Sequence, residues 1–201
     1  MIAGILLAAG KSERMKSPKP FFLLNGETFY EYVLQNYIKL NISPIVIVIN
    51  PAHIQLWEKA RGKFPDIIFR ENPDPSRGQL SSLKEALIIL REQKNITGAI
   101  LALIDHPQVP LNIYQSLIQN HLVLPQKIII PTYNNMKGHP VLIPENFFNE
   151  ILNYEGSQGL KGFFQSNSDN IFYFVTQHSE VLQDIDTPED FNNTGTGEFL
   201  N

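Results

Sequence analysis

The sequence predicts an α/β protein with a mostly parallel central sheet covered by helices. Strand and helix signals alternate along the chain, the pattern of strands joined by crossover helices. Residues 1–9 and 99–104 are apolar runs, and residues 45–49 are β-branched throughout. Runs of this length next to turn residues fit strands buried on both faces better than helices. At 201 residues the chain is long enough for one well-buried domain and short for two. One domain over residues 1–191 is expected, followed by a frayed polar tail at 192–201.

Each element has its own signal. The first strand runs into a small, flexible, cationic loop at residues 10–19. Residues 29–40 place Phe29, Tyr32, Val33, Tyr37 and Leu40 at helical spacing. Residues 44–50 are a buried strand, and Pro51 suits the first turn of a helix leading into 53–60. Residues 66–70 form a third short strand, and the turn residues of 72–78 make a loop. A helix over 79–93 buries Leu80, Leu83, Leu87 and Leu90, and the core strand 99–104 ends at Asp105. Then come a helix at 111–122, strands at 127–130 and 140–143, short helices at 146–152 and 159–164, and a strand at 171–175. Thr187, Pro188 and Asp190 give an N-cap, a first-turn proline and an acid three residues on, which opens a last helix.

Composition excludes several functions. A formal net charge of −4 argues against a general nucleic-acid binder, and the basic cluster at 11–19 is local, suited to a small anion. With no cysteine there is no disulfide, thiolate chemistry or cysteine-ligated zinc, which is compatible with a reducing cytoplasm. No apolar stretch approaches the ~20 residues that span a bilayer, and the amino terminus lacks a signal peptide's pattern. A cytoplasmic protein without membrane contact is expected.

The loop after the first strand carries the chemistry. Ala8, Ala9 and Gly10 lack bulk, so a phosphate can approach the backbone N–H groups closely. Arg14 offers a forked donor and Lys19 a point charge for phosphate oxygens. A solvated basic loop is the plainer account, and it suffices for Lys11 and Lys16. This is neither a P-loop, since Pro20 follows Lys19, nor a dinucleotide fingerprint, since Gly10 stands alone between Ala9 and Lys19. Asp105 emerges at the carboxyl edge of its strand, on the same rim as Gly10 if the strands are parallel. A carboxylate there either initiates a turn or holds Mg²⁺ together with substrate phosphates. Gly78 leads into a helix whose first turn carries Ser81 and Ser82, placed for capping or for receiving a polar ligand group.

Leu7-Ala8-Ala9-Gly10-Lys11-Ser12-Glu13-Arg14-Met15, followed by Pro18-Lys19, resembles the signature of the molybdenum-cofactor-type nucleotidyltransferases. Leu103–Pro110, Gly78–Leu83, Gly138-His139-Pro140 and Asp184–Asp190 resemble further stretches of that family, in order and with compatible spacing. The resemblance implies a three-layer Rossmann-like nucleotidyltransferase fold and transfer of a nucleoside monophosphate from a triphosphate, with loss of pyrophosphate. It implies that Leu7, Ala8, Ala9, Gly10, Gly78 and Ser82 bind the nucleotide, with Ser82 near the base, and that Arg14 and Lys19 are catalytic. It also implies Mg²⁺ on Asp105 and a terminal acid, Asp186 rather than Asp184 because Asp186 sits nearer the end of its strand. Gly138 and His139 fall to the acceptor.

Ala9, where the guanylyl branch has glycine, points to CTP over GTP. The expected acceptor is molybdenum cofactor, with a sugar or polyol phosphate as the alternative. Lys161 replaces the Arg of the family's Gly-x-x-Gly-Leu-Arg segment and loses its bidentate grip on phosphate. Two other classes stand beside this reading. A non-catalytic nucleotide-binding module would not demand two metal-binding acids, and an NAD(P) oxidoreductase would need the missing glycines.

Overall fold

The structure is a computed structural model that describes residues 1–12, 15, 17–193 and 197–199. Its first half contains β1 (Ile2–Ala8), β2 (Phe22–Leu24), β3 (Glu27–Thr28), α1 (Phe29–Lys39), β4 (Ile45–Ile49), α2 (Ile54–Lys63), β5 (Ile68–Glu71), α3 (Gln79–Leu90) and β6 (Gly98–Leu103). The second half contains α4 (Leu111–Val123), β7 (Ile128–Tyr133), β8 (Met136–Lys137), β9 (Val141–Pro144), α5 (Phe148–Asn153), α6 (Gly159–Ser166), β10 (Ile171–Val175), α7 (Pro188–Asn193) and β11 (Gly197–Phe199).

The apolar opening run is the centre of the main sheet, whose order is β10-β7-β9-β6-β1-β4-β5. β1 pairs in parallel with both β4 and β6, so the carboxyl ends of all three lie on one rim. β9 breaks the pattern by running antiparallel to β6 and β7. The stretch from β7 to β9 holds only the β8 turn, too short for the crossover that a parallel return requires.

The two-residue alternation of side chains divides the core. Leu6, Ile47 and Ile100 face one side of the sheet, against α1, α2 and α4. Ile5, Val46 and Leu101 face the other, against α3, α5 and α6. Three layers result, helices covering both faces, as the sequence predicts. No helix among the described residues is long and apolar enough to cross a membrane.

Two features differ from the sequence reading. Phe22–Leu24 and Glu27–Thr28 form a hairpin across Asn25 and Gly26, both at positive φ. Asn-Gly is a strong short-range hairpin signal, so this element is legible in the sequence. Within the tail, residues 197–199 pair antiparallel with β2. The free edge of that small sheet offers backbone partners that a polar tail can satisfy despite having little apolar surface to bury.

Tyr37 ties α1 to the sheet. Its hydroxyl lies 2.8 Å from the Ile5 carbonyl oxygen and 3.0 Å from that of Ile100, bridging β1 and β6. The ring rests on Gly4, where a Cβ would come within 2.9 Å of it. Tyr37→Phe is therefore expected to cost about 1–2 kcal/mol in urea unfolding, the net worth of a buried hydrogen bond. An unchanged midpoint would show the bridge to be idle.

Candidate functional site

The rim formed by β1 and β6 gathers residues far apart in the chain. A cleft of about 490 Å³ is lined by Ala8, Gly10, Lys19, Asp105 and Asp186, among others. A smaller cavity beside it, about 170 Å³, takes in Leu7, Ala9, Gly10, Gly78, Ser82 and Asp105. Of the predicted nucleotide, metal and catalytic residues, every one that the structure describes lines one or both of these spaces. Arg14 lies outside the described residues. Among the described residues, nothing lies within 4 Å of a Cβ built on Gly10.

Local chemistry explains how each side chain arrives there. Ser12 accepts the Lys19 backbone N–H at 3.0 Å and so closes the loop between them. Pro18 and Pro20 hold the short turn around Lys19, which is buried, and its ammonium pairs with the Asp186 carboxylate. Asp105 stands two residues beyond the end of β6, at the carboxyl rim of the sheet. The Asp184–Thr187 segment is irregular rather than a strand, which corrects the sequence reading. The Ile185 N–H donates to the Asp105 carbonyl oxygen at 2.8 Å, and this bond draws Asp186 to the rim while Asp184 stays exposed. Asp190 accepts from Thr187 and from the Asp186 N–H, which completes the capping box at α7.

Asp105 is electrostatically unusual. Burial pushes its carboxyl above the usual carboxylate range and Asp186 adds to this, while His106 and Lys19 oppose it. Its Oδ1 is buried and has no hydrogen-bond partner. That oxygen lies 3.8 Å from His106 Nε2, while Asp105 and Asp186 together line the cleft, and two carboxylates on one cleft suit a hard cation. Among the described residues, no three or more His, Cys, Asp or Glu form a metal cage. A cation here would take its remaining ligands from phosphate oxygens and water.

The predicted acceptor residues line a separate cavity of about 220 Å³ with Gln79, Lys137, Lys161 and Phe164. Gly138 is glycine because a Cβ there would sit 2.6 Å from the Val181 carbonyl oxygen. That same carbonyl accepts the His139 N–H at 2.8 Å. The His139 ring centroid lies 5.4 Å from that of His106, the two rings tilted by 48°, and burial together with His106 pushes its pKa down to about 3. It is therefore a neutral imidazole with an unpartnered Nδ1.

A pH prediction follows. His139 titrates at about 6.5 when free and at about 3 in the fold, so its contribution to stability is complete above 6.5 and falls away on acidification toward 3. Each fully uncompensated proton costs about 1.4 kcal/mol per pH unit. His121 is shifted the same way by burial, whereas Asp105, shifted upward, partly offsets the loss once it protonates. Urea midpoints are expected to fall between pH 7 and pH 4.5, and less steeply in His139→Gln. Constant midpoints would contradict the burial of a neutral histidine.

Two features escaped the sequence reading. Asn72 is almost wholly buried and hydrogen-bonded to both Ser81 and Ser82. Its only sequence signal was an Asn-Pro at a strand end, which reads as a turn. A larger cavity, about 570 Å³, lies beside α3 against the 152–159 segment and contains none of the residues predicted for the site.

The chain is similar to known proteins over most of its length. A family model described as "MobA-like NTP transferase domain" matches residues 4–171. The purine catabolism protein PucB of Bacillus subtilis (strain 168) is 23% identical over 197 residues, 95% of this chain and 94% of that one. The molybdenum cofactor cytidylyltransferase of Escherichia coli (strain K12) is 25% identical over 190 residues, 93% of this chain and 92% of that one. Among solved structures, Rv0371c from Mycobacterium tuberculosis H37Rv superposes with a TM-score of 0.80 at 22% identity, covering 96% of this chain and 97% of that one. Its manganese complex superposes at 0.76 and 21% identity, with 96% and 97% covered.

Proposed function

The chain belongs to the MobA-like NTP transferase domain family, and from that premise we propose that it transfers a nucleoside monophosphate, most readily CMP from CTP, to a small phosphorylated or hydroxyl acceptor. Molybdenum cofactor is the first acceptor to consider, as in its E. coli relative. The observation that supports this reading is the meeting of the β1 turn, Lys19, Asp105 and Asp186 around one cleft.

In the proposed reaction an acceptor oxygen attacks the α-phosphorus in line, the bond to the bridging α–β oxygen breaks, and pyrophosphate leaves. The backbone N–H groups around Gly10 receive β- and γ-phosphate oxygens. Arg14 and Lys19 neutralise charge at the α-phosphate and on the leaving group. Asp105 and Asp186 would hold Mg²⁺, which supplies charge neutralisation and orients the phosphates. A phosphate monoester acceptor is already anionic, so no protein base is required. His139, neutral in its cavity, positions the acceptor rather than activating it.

Lys161 in place of Arg favours a sugar or polyol phosphate as the second acceptor class, since a single ammonium reads phosphate less exactingly than a guanidinium fork. The test is pyrophosphate release from CTP, GTP, ATP and UTP with Mg²⁺ or Mn²⁺, against molybdenum cofactor and a panel of sugar and polyol phosphates. Release with CTP and one acceptor is expected. Tight nucleotide binding without release for any acceptor would favour a non-catalytic binding module.

A further inference from the structure

Asn72 makes four hydrogen bonds from a position only 1% exposed. Its backbone N–H extends β4 by donating to the Ile49 carbonyl oxygen at 3.0 Å. Its Oδ1 accepts the Asp74 N–H at 2.9 Å. A backbone N–H can only donate, so this bond fixes which end of the amide is oxygen. Nδ2 must then face α3, where it lies 2.9 Å from the Oγ of both Ser81 and Ser82. Both amide hydrogens are spent on the two hydroxyls.

The serines differ in what remains. Ser81 passes its own hydrogen to the Gly78 carbonyl oxygen at 2.8 Å. Ser82 accepts from Asn72, and no described acceptor takes its hydrogen. Ser82 lines the 170 Å³ cavity, where Leu7, Ala9 and Leu103 supply apolar wall. An oxygen already receiving a hydrogen bond on one side has its O–H left to point elsewhere, and the cavity is the open direction.

Resting on the nucleotidyl-transfer reading, we infer that Asn72 is a positioning residue that holds the Ser82 hydroxyl as a hydrogen-bond donor toward the bound base. The ligand edge it selects carries lone pairs, a ring carbonyl or an unprotonated ring nitrogen. Cytosine presents O2 and N3 side by side as such an edge, whereas uracil carries a hydrogen on N3. Asn72 thereby sets the polarity of base recognition without touching the base.

Asn72→Asp tests this with almost no change of shape. The substituted carboxylate still accepts the Asp74 N–H but donates nothing, so both serine hydroxyls turn their hydrogens toward it. Calorimetric titration with CTP and Mg²⁺ is expected to show roughly tenfold weaker binding. KM for CTP rises with it and kcat changes little. Ser82→Ala weakens binding by a similar factor, and Asn72→Asp in the Ser82→Ala background weakens it no further. Ser81→Ala leaves binding unchanged, a contrast that holds even if Asn72→Asp does not fold.

Wild-type affinity in Ser82→Ala, or effects of Asn72→Asp and Ser82→Ala that simply add, would overturn the inference while leaving the nucleotide reading intact. A wild-type protein that binds none of CTP, GTP, ATP and UTP with Mg²⁺ would overturn the reading and the inference with it.

Discussion

Replacing Lys19 with alanine is expected to lower turnover by roughly 10²-fold or more while leaving the fold intact. Removing one preorganised electrostatic stabiliser from a water-poor site typically has that effect. Lys19 lies outside the apolar core clusters and ends in an ion pair with Asp186 at the rim. Its loss costs packing little. It does leave the largely buried Asp186 carboxylate without that counter-charge, so thermal stability is expected to drop modestly. A divalent cation held by the same carboxylate would restore part of it. Pyrophosphate release and thermal unfolding with and without Mg²⁺ separate the two effects. Wild-type turnover in Lys19→Ala would remove Lys19 from the reaction.

Asp105→Asn is expected to move activity and stability in opposite directions. The folded protein holds the Asp105 carboxyl above its ordinary value of 3.8, chiefly through burial. A carboxyl shifted upward is penalised once it ionises, so its stability contribution is lost as pH rises through that window. The neutral amide escapes the penalty. The unliganded variant is therefore expected to unfold at neutral pH at a urea concentration equal to or above that of the wild type. Its activity should fall by roughly 10²-fold or more if the charge neutralisation at the phosphates depends on this acid. The magnesium dependence of what remains should weaken. A destabilised variant would mean that the buried oxygen has a partner role, and an unchanged magnesium titration would take Asp105 out of the site.

Much of this was legible before any coordinates. Residues 1–9, 45–49 and 99–104 could hardly be anything but central strands, because so few polar groups interrupt them. Gly10, Lys19, Asp105 and Asp186 could be paired with roles because the family's motifs recur in order. The Asn25-Gly26 pair carries an equally legible hairpin signal. The tail strand at 197–199 left no such mark, since strand pairing through backbone groups needs no particular side chain. The Asp184–Thr187 segment lacks the strand alternation that its Asp184/Asp186 spacing suggests. Asp186 nevertheless faces the cleft, because the bond from Ile185 to Asp105 sets its direction.

By itself, then, the order of residues determined the layered α/β architecture, the exit of the first strand as a glycine-containing turn, and the charged groups carried near it. These depend on periodicity and on local backbone preference, which act over a few residues. Only the tertiary structure decided that Lys19 and Asp186, 167 residues apart, form a pair, that burial lifts the Asp105 carboxyl, and that Asn72 spends its amide on two serines. Desolvation and hydrogen-bond direction are properties of three-dimensional neighbours, and a linear sequence does not specify those neighbours until the chain has closed around them.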